Sequence, residues 1–203
     1  MLIVKIDLNI YFTHAAFWGA FGATRLFVQF AARKSPQVSE TASFSKEGKT
    51  APFSRALLVF HMLAFGFMYW GIGLAVFSGH IPVLMSGQRI LGFLIIALAA
   101  ILMASALVYF RSWRFRAQLE EGHQLATGGP FRICRHPIYM GLNLLALGSA
   151  IWIPTPAVCI GLILMIVGSD LRARAEEKLL EQAFGSLYQN YCARTQRFLP
   201  GLY

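Results

Sequence analysis

The chain has 203 residues, of which 57% are hydrophobic and only 13% are charged, whereas soluble proteins carry about 25% charged residues. This composition excludes a disordered chain, which needs low hydrophobicity. It also argues against a soluble globule, because too many apolar side chains would stay exposed to water. The sequence therefore predicts an all-α integral membrane protein.

Five apolar stretches predict about five transmembrane helices. The first three each reach the roughly 20 residues that a bilayer-crossing helix needs. Pro154 and Pro156 interrupt the last apolar run. They predict a short helical hairpin whose arms are thinned or tilted, because each arm is short for a full span. In chain order, the predicted spans are residues 8–32, 56–78, 90–110, 138–153 and 157–169.

The positions of the basic residues predict the orientation in the membrane. Fifteen of the 18 Lys and Arg residues lie on one side of the predicted spans, in the segments that follow the first, third and fifth spans. The positive-inside rule places this side in the cytoplasm, with the amino terminus outside and the carboxyl terminus inside. The net charge of +9 is therefore assigned to membrane topology, and binding of nucleic acid is not expected.

From Asp170 onward, the chain predicts a cytoplasmic amphipathic helix. Apolar residues recur on one face at helical spacing, and Gly185 is expected to interrupt the helix. We expect this helix to pack on the membrane face or on the loop that follows the third span. The recurring positions are Leu171, Ala175, Leu179, Ala183 and Leu187.

Several residues inside the spans have mainly structural interpretations. His14 and His61 are expected to be satisfied packing residues, although ionisable groups inside a membrane are candidates for function. Arg25 lies near the cytoplasmic end of the first span and can extend its charge to the surface. The three cysteines show no metal-ligand spacing, so neither a metal site nor a disulfide framework is predicted. The glycines expected to allow close helix packing are Gly19, Gly22, Gly66 and Gly73.

The richest polar cluster spans residues 123–141, at the predicted cytoplasmic entrance to the fourth span. A Gly-Gly-Pro run at 128–130 allows a sharp turn and a close approach of the backbone to a ligand. Pro137 suits the first turn of a helix and holds His136 outside that helix. From composition alone, the cluster is equally compatible with a ligand site and with an interfacial loop whose Arg and Tyr side chains meet lipid headgroups.

A second polar cluster opens the tail helix. Arg172 and Glu176 are four residues apart and share a helix face, which is compatible with an exposed ion pair of little energetic value. Alternatively, Glu176 and Glu177 hold a cationic ligand while Arg172 holds an anion. Because the predicted hairpin begins and ends on the same side of the membrane, it brings His136 close to Glu176. This geometry favours one composite site at the membrane surface.

The residues of these two clusters resemble a known family. The run Arg-His-Pro-Ile-Tyr-Met-Gly at 135–141 resembles the cofactor signature of membrane methyltransferases, a group that includes isoprenylcysteine carboxyl methyltransferases and phospholipid methyltransferases. The tail continues the similarity, whereas the first three spans are similar only in being apolar. The positions that carry the resemblance are His123, Leu125, Thr127, Gly129, Phe131, Arg135, His136, Pro137, Tyr139, Gly141, Arg172, Glu176, Glu177, Leu180, Phe184, Gly185, Tyr188, Tyr191, Pro200 and Tyr203.

The resemblance implies a single methyltransferase domain over residues 1–203, with three spans in 1–110 and the cofactor-binding loop, hairpin and tail in 111–203. It implies S-adenosyl-L-methionine as the methyl donor, bound without a Rossmann domain. Arg116 stands at a cofactor-contact position where the family has Gln, so it is left unassigned. The cofactor-binding positions carried over are His123, Gln124, Leu125, Ala126, Phe131, His136, Pro137, Ile138, Tyr139 and Glu176.

The resemblance also implies the catalytic roles. Arg172 stands where the carboxyl methyltransferases hold the acceptor carboxylate, and a bidentate pair suits that task. A carboxylate is already nucleophilic, whereas an amine or thiol acceptor needs a proton acceptor, for which Glu177 and His136 are candidates. The expected partner is a lipophilic small molecule or a lipid, methylated on oxygen as in the isoprenylcysteine enzymes. N-methylation of a phospholipid and methylation of a small thiol are the alternatives within the family.

Two other classes of function stay open at this stage. Membrane reductases of the sterol or steroid type carry a similar Arg-His-Pro-x-Tyr-x-Gly run, but they have Asn where this chain has Ile138 and an acid where it has Leu142. A transporter or scaffold would depend on the polar residues inside the spans, and no internal repeat supports it. Binding of NADPH would favour the reductase, and binding of no nucleotide-like cofactor would favour the transporter. The oligomeric state is left open.

Overall fold

The computed structural model describes residues 8–34, 49–50, 53–78, 86–110, 118–119, 125–199 and 201. Over these residues the chain forms six α-helices and two short antiparallel strands, β1 (Lys49–Thr50) and β2 (Gln118–Leu119). A 3₁₀ turn, Gly129–Arg132, precedes the fourth helix. The helices are α1 (Asn9–Lys34), α2 (Ser54–Phe77), α3 (Ser86–Tyr109), α4 (Pro137–Trp152), α5 (Pro156–Phe184) and α6 (Ser186–Cys192).

Three helices in the described part of the chain are long and apolar enough to cross a membrane, namely α2, α3 from Gly87 and α5. The helix α4 is apolar but has only 16 residues, as expected for the short arm of the hairpin. The helix α1, predicted as the first span, has 26 residues but is not one of the three, because polar residues such as His14 and Arg25 reduce its hydropathy. The predicted class, an all-α membrane protein, is confirmed.

The largest difference from the sequence prediction concerns α5. It runs without a break for 29 residues, about 43 Å at 1.5 Å per residue, whereas a short membrane arm and a separate tail helix are predicted. Its first half is apolar, and its charged half continues the same helix. The residues after Ser169 are rich in Ala, Leu, Glu and Arg, which are strong helix formers, with no Gly or Pro before Gly185. Gly185, with φ of 52°, ends the helix as predicted.

Glycines allow neighbouring helices to touch through their backbones. Between α3 and α4, a Cβ atom on Gly148 would lie 2.7 Å from the carbonyl oxygen of Gly92. Between α2 and α5, a Cβ atom on Gly161 would lie 2.9 Å from the Cα atom of Met68. These distances are too short for any side chain, so the two helix pairs depend on glycine at these positions.

The four glycines selected from the sequence do not have this role. Among the described residues, a Cβ atom on three of them would meet nothing within 4 Å, and on the fourth it would lie 3.7 Å from the hydroxyl of Tyr11. The prediction is wrong because a glycine in an apolar run does not show which helix face meets a neighbour. The three without a neighbour are Gly19, Gly22 and Gly66, and the fourth is Gly73.

A chain of hydrogen bonds holds α1 to α2 and α4. The indole N–H of Trp18 donates to the hydroxyl of Tyr69 at 2.7 Å, and this hydroxyl donates to Nδ1 of His14 at 2.7 Å. Nε2–H of His14 then donates to Oγ of Ser149 at 3.0 Å, which donates to the carbonyl oxygen of Leu145 at 2.6 Å. This order of donors assigns the tautomer of His14 that has its proton on Nε2. His14 is therefore a satisfied packing residue, as predicted.

The tail packs against the segment that precedes α4. Leu125 lies in one apolar cluster with Leu179 and Phe184 of α5 and with Tyr188 of α6. These contacts confirm one of the two predicted placements, in which the tail helix packs on the loop after the third span.

Candidate active site

The two polar clusters identified in the sequence meet at one end of the α4–α5 hairpin. Pro137 is the first residue of α4, and His136 caps the helix with φ of −125° and ψ of 62°. Proline suits this position because its φ is already helical and the N–H that it lacks would be unpaired there. The helix α5 returns beside α4, where the hydroxyl of Ser169 donates to Oδ1 of Asn143 at 2.8 Å. The charged half of α5 therefore lies against His136.

Glu176 has one carboxylate oxygen held and one available. The hydroxyl of Tyr139 donates a hydrogen bond to Oε1 of Glu176. Oε2 lies 3.7 Å from Nδ1 of His136, which is too far for a hydrogen bond, and the side chain of Glu176 is 23% exposed. The rings of His136 and Tyr139 stack with centroids 5.6 Å apart. Within the described residues, Oε2 therefore accepts no hydrogen bond, and Glu176 stays partly exposed.

Glu177 has a different environment, because two guanidinium groups and an imidazole surround it. Nε of Arg135 donates to Oε1 at 2.9 Å. Arg197 donates to both oxygens, from Nη2 to Oε2 at 2.6 Å and from Nε to Oε1 at 3.1 Å. Nε2 of His136 lies 3.3 Å from Oε1. Charge-assisted hydrogen bonds of this kind are strong, so Glu177 connects α5 both to the start of α4 and to the tail.

The segment 194–198, here called the carboxyl-terminal strap, pairs with the residues that lead into α4. The backbone N–H of Arg135 donates to the carbonyl oxygen of Gln196 at 2.8 Å, and that of His136 donates to the carbonyl oxygen of Arg197 at 3.2 Å. The strap therefore fixes the backbone of His136 through a hydrogen bond, while Glu177 contacts the His136 side chain.

Arg172 is a buried cation on the inner face of α5, with 5% of its surface exposed. Its Cζ atom lies 5.0 Å from the centre of the Tyr139 ring, a distance typical of cation–π interaction. Phe198 and Ala173 pack with Tyr139 in one apolar cluster. Arg172 precedes Glu176 by one turn, so it lies toward the apolar half of α5.

The apolar positions predicted to line the cofactor pocket lie in two packed regions. Phe131 and Ile138 are buried in the main core, and Ala126 packs against that core. Leu125 belongs to the separate cluster of the tail. The predicted residues that the structure brings together in the polar cluster are His136, Pro137, Tyr139, Arg172, Glu176 and Glu177.

Several positions that the sequence comparison with this family singles out lie outside the described residues. His123 and Gln124, both predicted to contact the cofactor, are two of them. Arg116, Pro200 and Tyr203 are three more.

Sequence reasoning did not assign three charged residues that hold this site. These residues are Arg135, Asp170 and Arg197. The position of Arg135 beside His136 in the signature run is the one sequence feature that indicates a place in the site. Arg197 lies 20 residues after Glu177, and it also donates to Asp170 at 2.9 Å. It reaches both acids only because the strap folds back, and no local pattern predicts such a return.

Burial makes two neighbouring groups hard to ionise. It raises the pKa of the Cys134 thiol to about 11, although a hydrogen bond with the backbone of His136 and the charge of Arg135 act in the opposite direction. Burial also raises the pKa of Tyr191, whose hydroxyl donates to the carbonyl oxygen of Phe131 at 2.7 Å. Neither group is an anion near neutral pH.

Comparison with known proteins agrees with the signature run. The family described as phospholipid methyltransferase matches residues 87–186. Two proteins described as probable protein-S-isoprenylcysteine O-methyltransferase, from Oryza sativa subsp. indica and subsp. japonica, are each 34% identical over 87 residues, which is 42% of this chain and 45% of theirs. Protein-S-isoprenylcysteine O-methyltransferase B of Arabidopsis thaliana is 31% identical over 83 residues, which is 40% of this chain and 42% of that protein. The matches therefore span less than half the length of these relatives.

Proposed function

We propose that this membrane protein is an S-adenosyl-L-methionine-dependent methyltransferase that acts on a lipophilic acceptor, since residues 87–186 match the family described as phospholipid methyltransferase. The observation that carries the proposal is the polar cluster, in which Tyr139 holds Glu176 with one oxygen available and Arg172 is buried one turn away. The proposal treats residues 1–203 as one methyltransferase domain.

The residues of the cluster fit this cofactor. S-adenosyl-L-methionine supplies an electrophilic methyl group on a sulfonium, and its amino, hydroxyl and carboxylate groups need partners. Glu176 is suited to an amino or hydroxyl group because Oε2 is available while Oε1 is fixed by Tyr139. His136, whose Nδ1 lies 3.7 Å from Oε2 of Glu176, is proposed as a second polar contact. The other positions proposed to bind the cofactor are His123, Gln124, Leu125, Ala126, Phe131, Pro137 and Ile138, of which the apolar ones would provide packing.

Arg172 is proposed to hold the carboxylate of the acceptor. Its position toward the apolar half of α5 lets an acceptor arrive from the bilayer while the methyl donor arrives from the aqueous side. A carboxylate needs no general base, so the protein has to orient the two reactants, and orientation alone supplies large rate gains. The rice and Arabidopsis relatives, which are named as isoprenylcysteine O-methyltransferases, favour this acceptor class.

The family description, phospholipid methyltransferase, favours a second candidate, which is methylation of an amine head group. An amine has to lose a proton, so it needs a base within reach. Glu177 is one proposed base, but it already accepts hydrogen bonds from Arg135 and Arg197, which leaves little capacity for a further proton. His136 is therefore the better-placed proton acceptor, and the same argument applies to a thiol.

The site is proposed to face the cytoplasm. Basic residues at this end of the hairpin include Arg135, Arg174 and Lys178, and the positive-inside rule places such an end in the cytoplasm. The charge then serves orientation and contact with membrane lipids, and nucleic acid is not an expected partner.

Cofactor binding by the protein purified in detergent tests the proposal. By isothermal titration calorimetry, we expect the wild type to bind S-adenosyl-L-methionine and S-adenosyl-L-homocysteine. Glu176→Ala is expected to lose roughly tenfold or more in affinity, because it removes the available Oε2. Arg172→Ala is expected to keep that affinity and to lose turnover of a prenylcysteine carboxylate, because Arg172 is assigned to the acceptor.

Two exposed residues of the same helix provide matched controls, Glu181→Ala and Arg174→Ala. Neither variant is expected to change cofactor affinity. Unchanged affinity in Glu176→Ala would contradict the assigned pocket. Binding of NADPH alone, measured in parallel, would contradict the methyltransferase and favour a reductase.

A further inference from the structure

His61 is a buried histidine that lacks a hydrogen-bond partner in the described part of the chain. It is 1% exposed in α2, and neither ring nitrogen has a partner among the described residues. His14 differs, since Tyr69 and Ser149 satisfy both of its ring nitrogens. A buried polar group without a partner costs stability and needs an explanation. In a membrane span, an ionisable group of this kind is a candidate for function.

His61 lies close to the part of the proposed site where Arg172 is assigned to the acceptor. Its ring centroid lies 6.1 Å from that of Tyr139, and Cζ of Arg172 lies 5.0 Å from the centre of the same ring. A Cβ atom on Gly168 would lie 3.5 Å from Cγ of His61, and Gly168 precedes Arg172 by one turn of α5. Three helices therefore place His61 and Arg172 around one aromatic ring.

Packing alone does not require a histidine at this position. The His61 ring stacks on Phe65 with centroids 5.5 Å apart. A phenylalanine would make that contact equally well without leaving polar atoms unpaired. The imidazole is explained if its partner is a ligand, and a ligand that reaches the Tyr139 ring from the membrane side meets His61 there.

We propose that His61 binds the acidic head group of the lipophilic methyl acceptor. An imidazole N–H donates to one oxygen of the head group while Arg172 pairs with the same group. This inference rests on the proposed methyltransferase function and adds a contact from α2 to it. A neutral imidazole always carries one N–H, so the donation needs no change in charge. Two donors from different helices select an anionic head group over an amine, which the charge of Arg172 repels.

Binding of an acidic prenyl probe tests His61 separately from catalysis. The probe is N-acetyl-S-farnesylcysteine, measured with protein in lipid nanodiscs, and its methyl ester is the neutral control. We expect His61→Phe to weaken binding of the acid by roughly tenfold or more, because the N–H is lost and the ring contact with Phe65 is kept. The ester is expected to change much less. His61→Asn is expected to restore part of the affinity for the acid, because its amide can donate.

Two further measurements separate this role from a structural one. His61→Phe is expected to bind S-adenosyl-L-homocysteine as the wild type does. Its unfolding temperature is expected to be equal or higher, because the variant removes an unpaired polar group from the protein interior. In turnover, KM for the acid is expected to rise with little change in kcat.

Several outcomes would overturn the proposal. Unchanged affinity of His61→Phe for the acid would do so, as would failure of the wild type to bind the acid. Equal losses for the acid and the ester, or a lower unfolding temperature with lost cofactor affinity, would show a packing role instead. Failure of the wild type to bind S-adenosyl-L-homocysteine would contradict the proposed methyltransferase itself, so the two failures are distinguishable.

Discussion

At the scale of single residues, two adjacent glutamates have different environments. Glu176 is held by one hydrogen bond and keeps an oxygen for a ligand. Glu177 is surrounded by Arg135, Arg197 and His136. The proposal therefore assigns Glu176 to the cofactor, and Glu177 is proposed to be a positioning residue that orients His136.

Replacing Glu177 is expected to reduce stability. Glu177→Ala leaves the guanidinium groups of Arg135 and Arg197 without their shared carboxylate. Breaking a buried pair from one side costs about 3–5 kcal/mol, and the 12–15% exposure of these side chains places the expected loss near the lower end, at about 3 kcal/mol. Thermal unfolding in detergent measures the loss.

The neighbouring variant Glu176→Ala is the control for this prediction. It is expected to lower cofactor affinity with a smaller change in unfolding temperature, because Glu176 pairs with one tyrosine. Equal unfolding temperatures for Glu177→Ala and the wild type would show that the ionic cluster does not hold the fold.

The two histidines of the spans cannot be distinguished from the local sequence. Both stand in apolar runs, and both are expected from sequence to be satisfied packing residues. His14 meets this expectation through Tyr69 and Ser149, whereas His61 does not. The partners lie on other helices, 55 and 135 residues away for His14, so no local pattern distinguishes the two cases.

At the scale of helices, the apolar runs and prolines predict most boundaries to within a few residues. They predict α4 and its turn particularly well, because Pro137, Pro154 and Pro156 mark its ends. The pattern does not predict the continuity of α5, because the change from apolar to charged residues at Asp170 indicates a boundary. Side-chain chemistry changes there, but helix propensity does not.

The contact between α3 and α4 gives a prediction at this scale. Gly148→Ala is expected to destabilise the protein by about 1–3 kcal/mol, because the new Cβ atom would lie 2.7 Å from the carbonyl oxygen of Gly92. Thermal unfolding in detergent measures the change. The matched control is Gly66→Ala in α2, where the new atom meets nothing within 4 Å among the described residues. A loss in the control as large as that in Gly148→Ala would contradict the close approach.

At the scale of the whole molecule, the fold places an ionic cluster at one end of an apolar bundle. The membrane class and the meeting of His136 with Glu176 follow from sequence, because a hairpin returns its ends to one side. The strap could not be predicted, since Arg197 pairs with Glu177 and Asp170 only after the tail folds back. Long-range returns of this kind depend on the assembled molecule.

The proposed orientation gives a prediction for the whole molecule. In a variant with Cys134, Cys159 and Cys192 replaced by Ser, a single cysteine is introduced at exposed Arg194 or at exposed Gln88. A membrane-impermeant maleimide is expected to label Gln88→Cys on intact cells and Arg194→Cys only after the cytoplasmic face is opened. The opposite labelling would reverse the orientation.

The unbroken α5 has a consequence for the lipid environment. Arg172 follows Pro156 by 16 residues in one helix, so about 24 Å of rise separates the charge that is proposed to bind the acceptor from the far end of the span. Proteins adapt to thicker or thinner bilayers by tilting or by deforming the lipid, and a rigid helix passes such adjustments directly to Arg172. The depth of Arg172 relative to the lipid head groups therefore depends on the thickness of the membrane. Access of lipid-borne groups to this residue is expected to depend on that thickness as well.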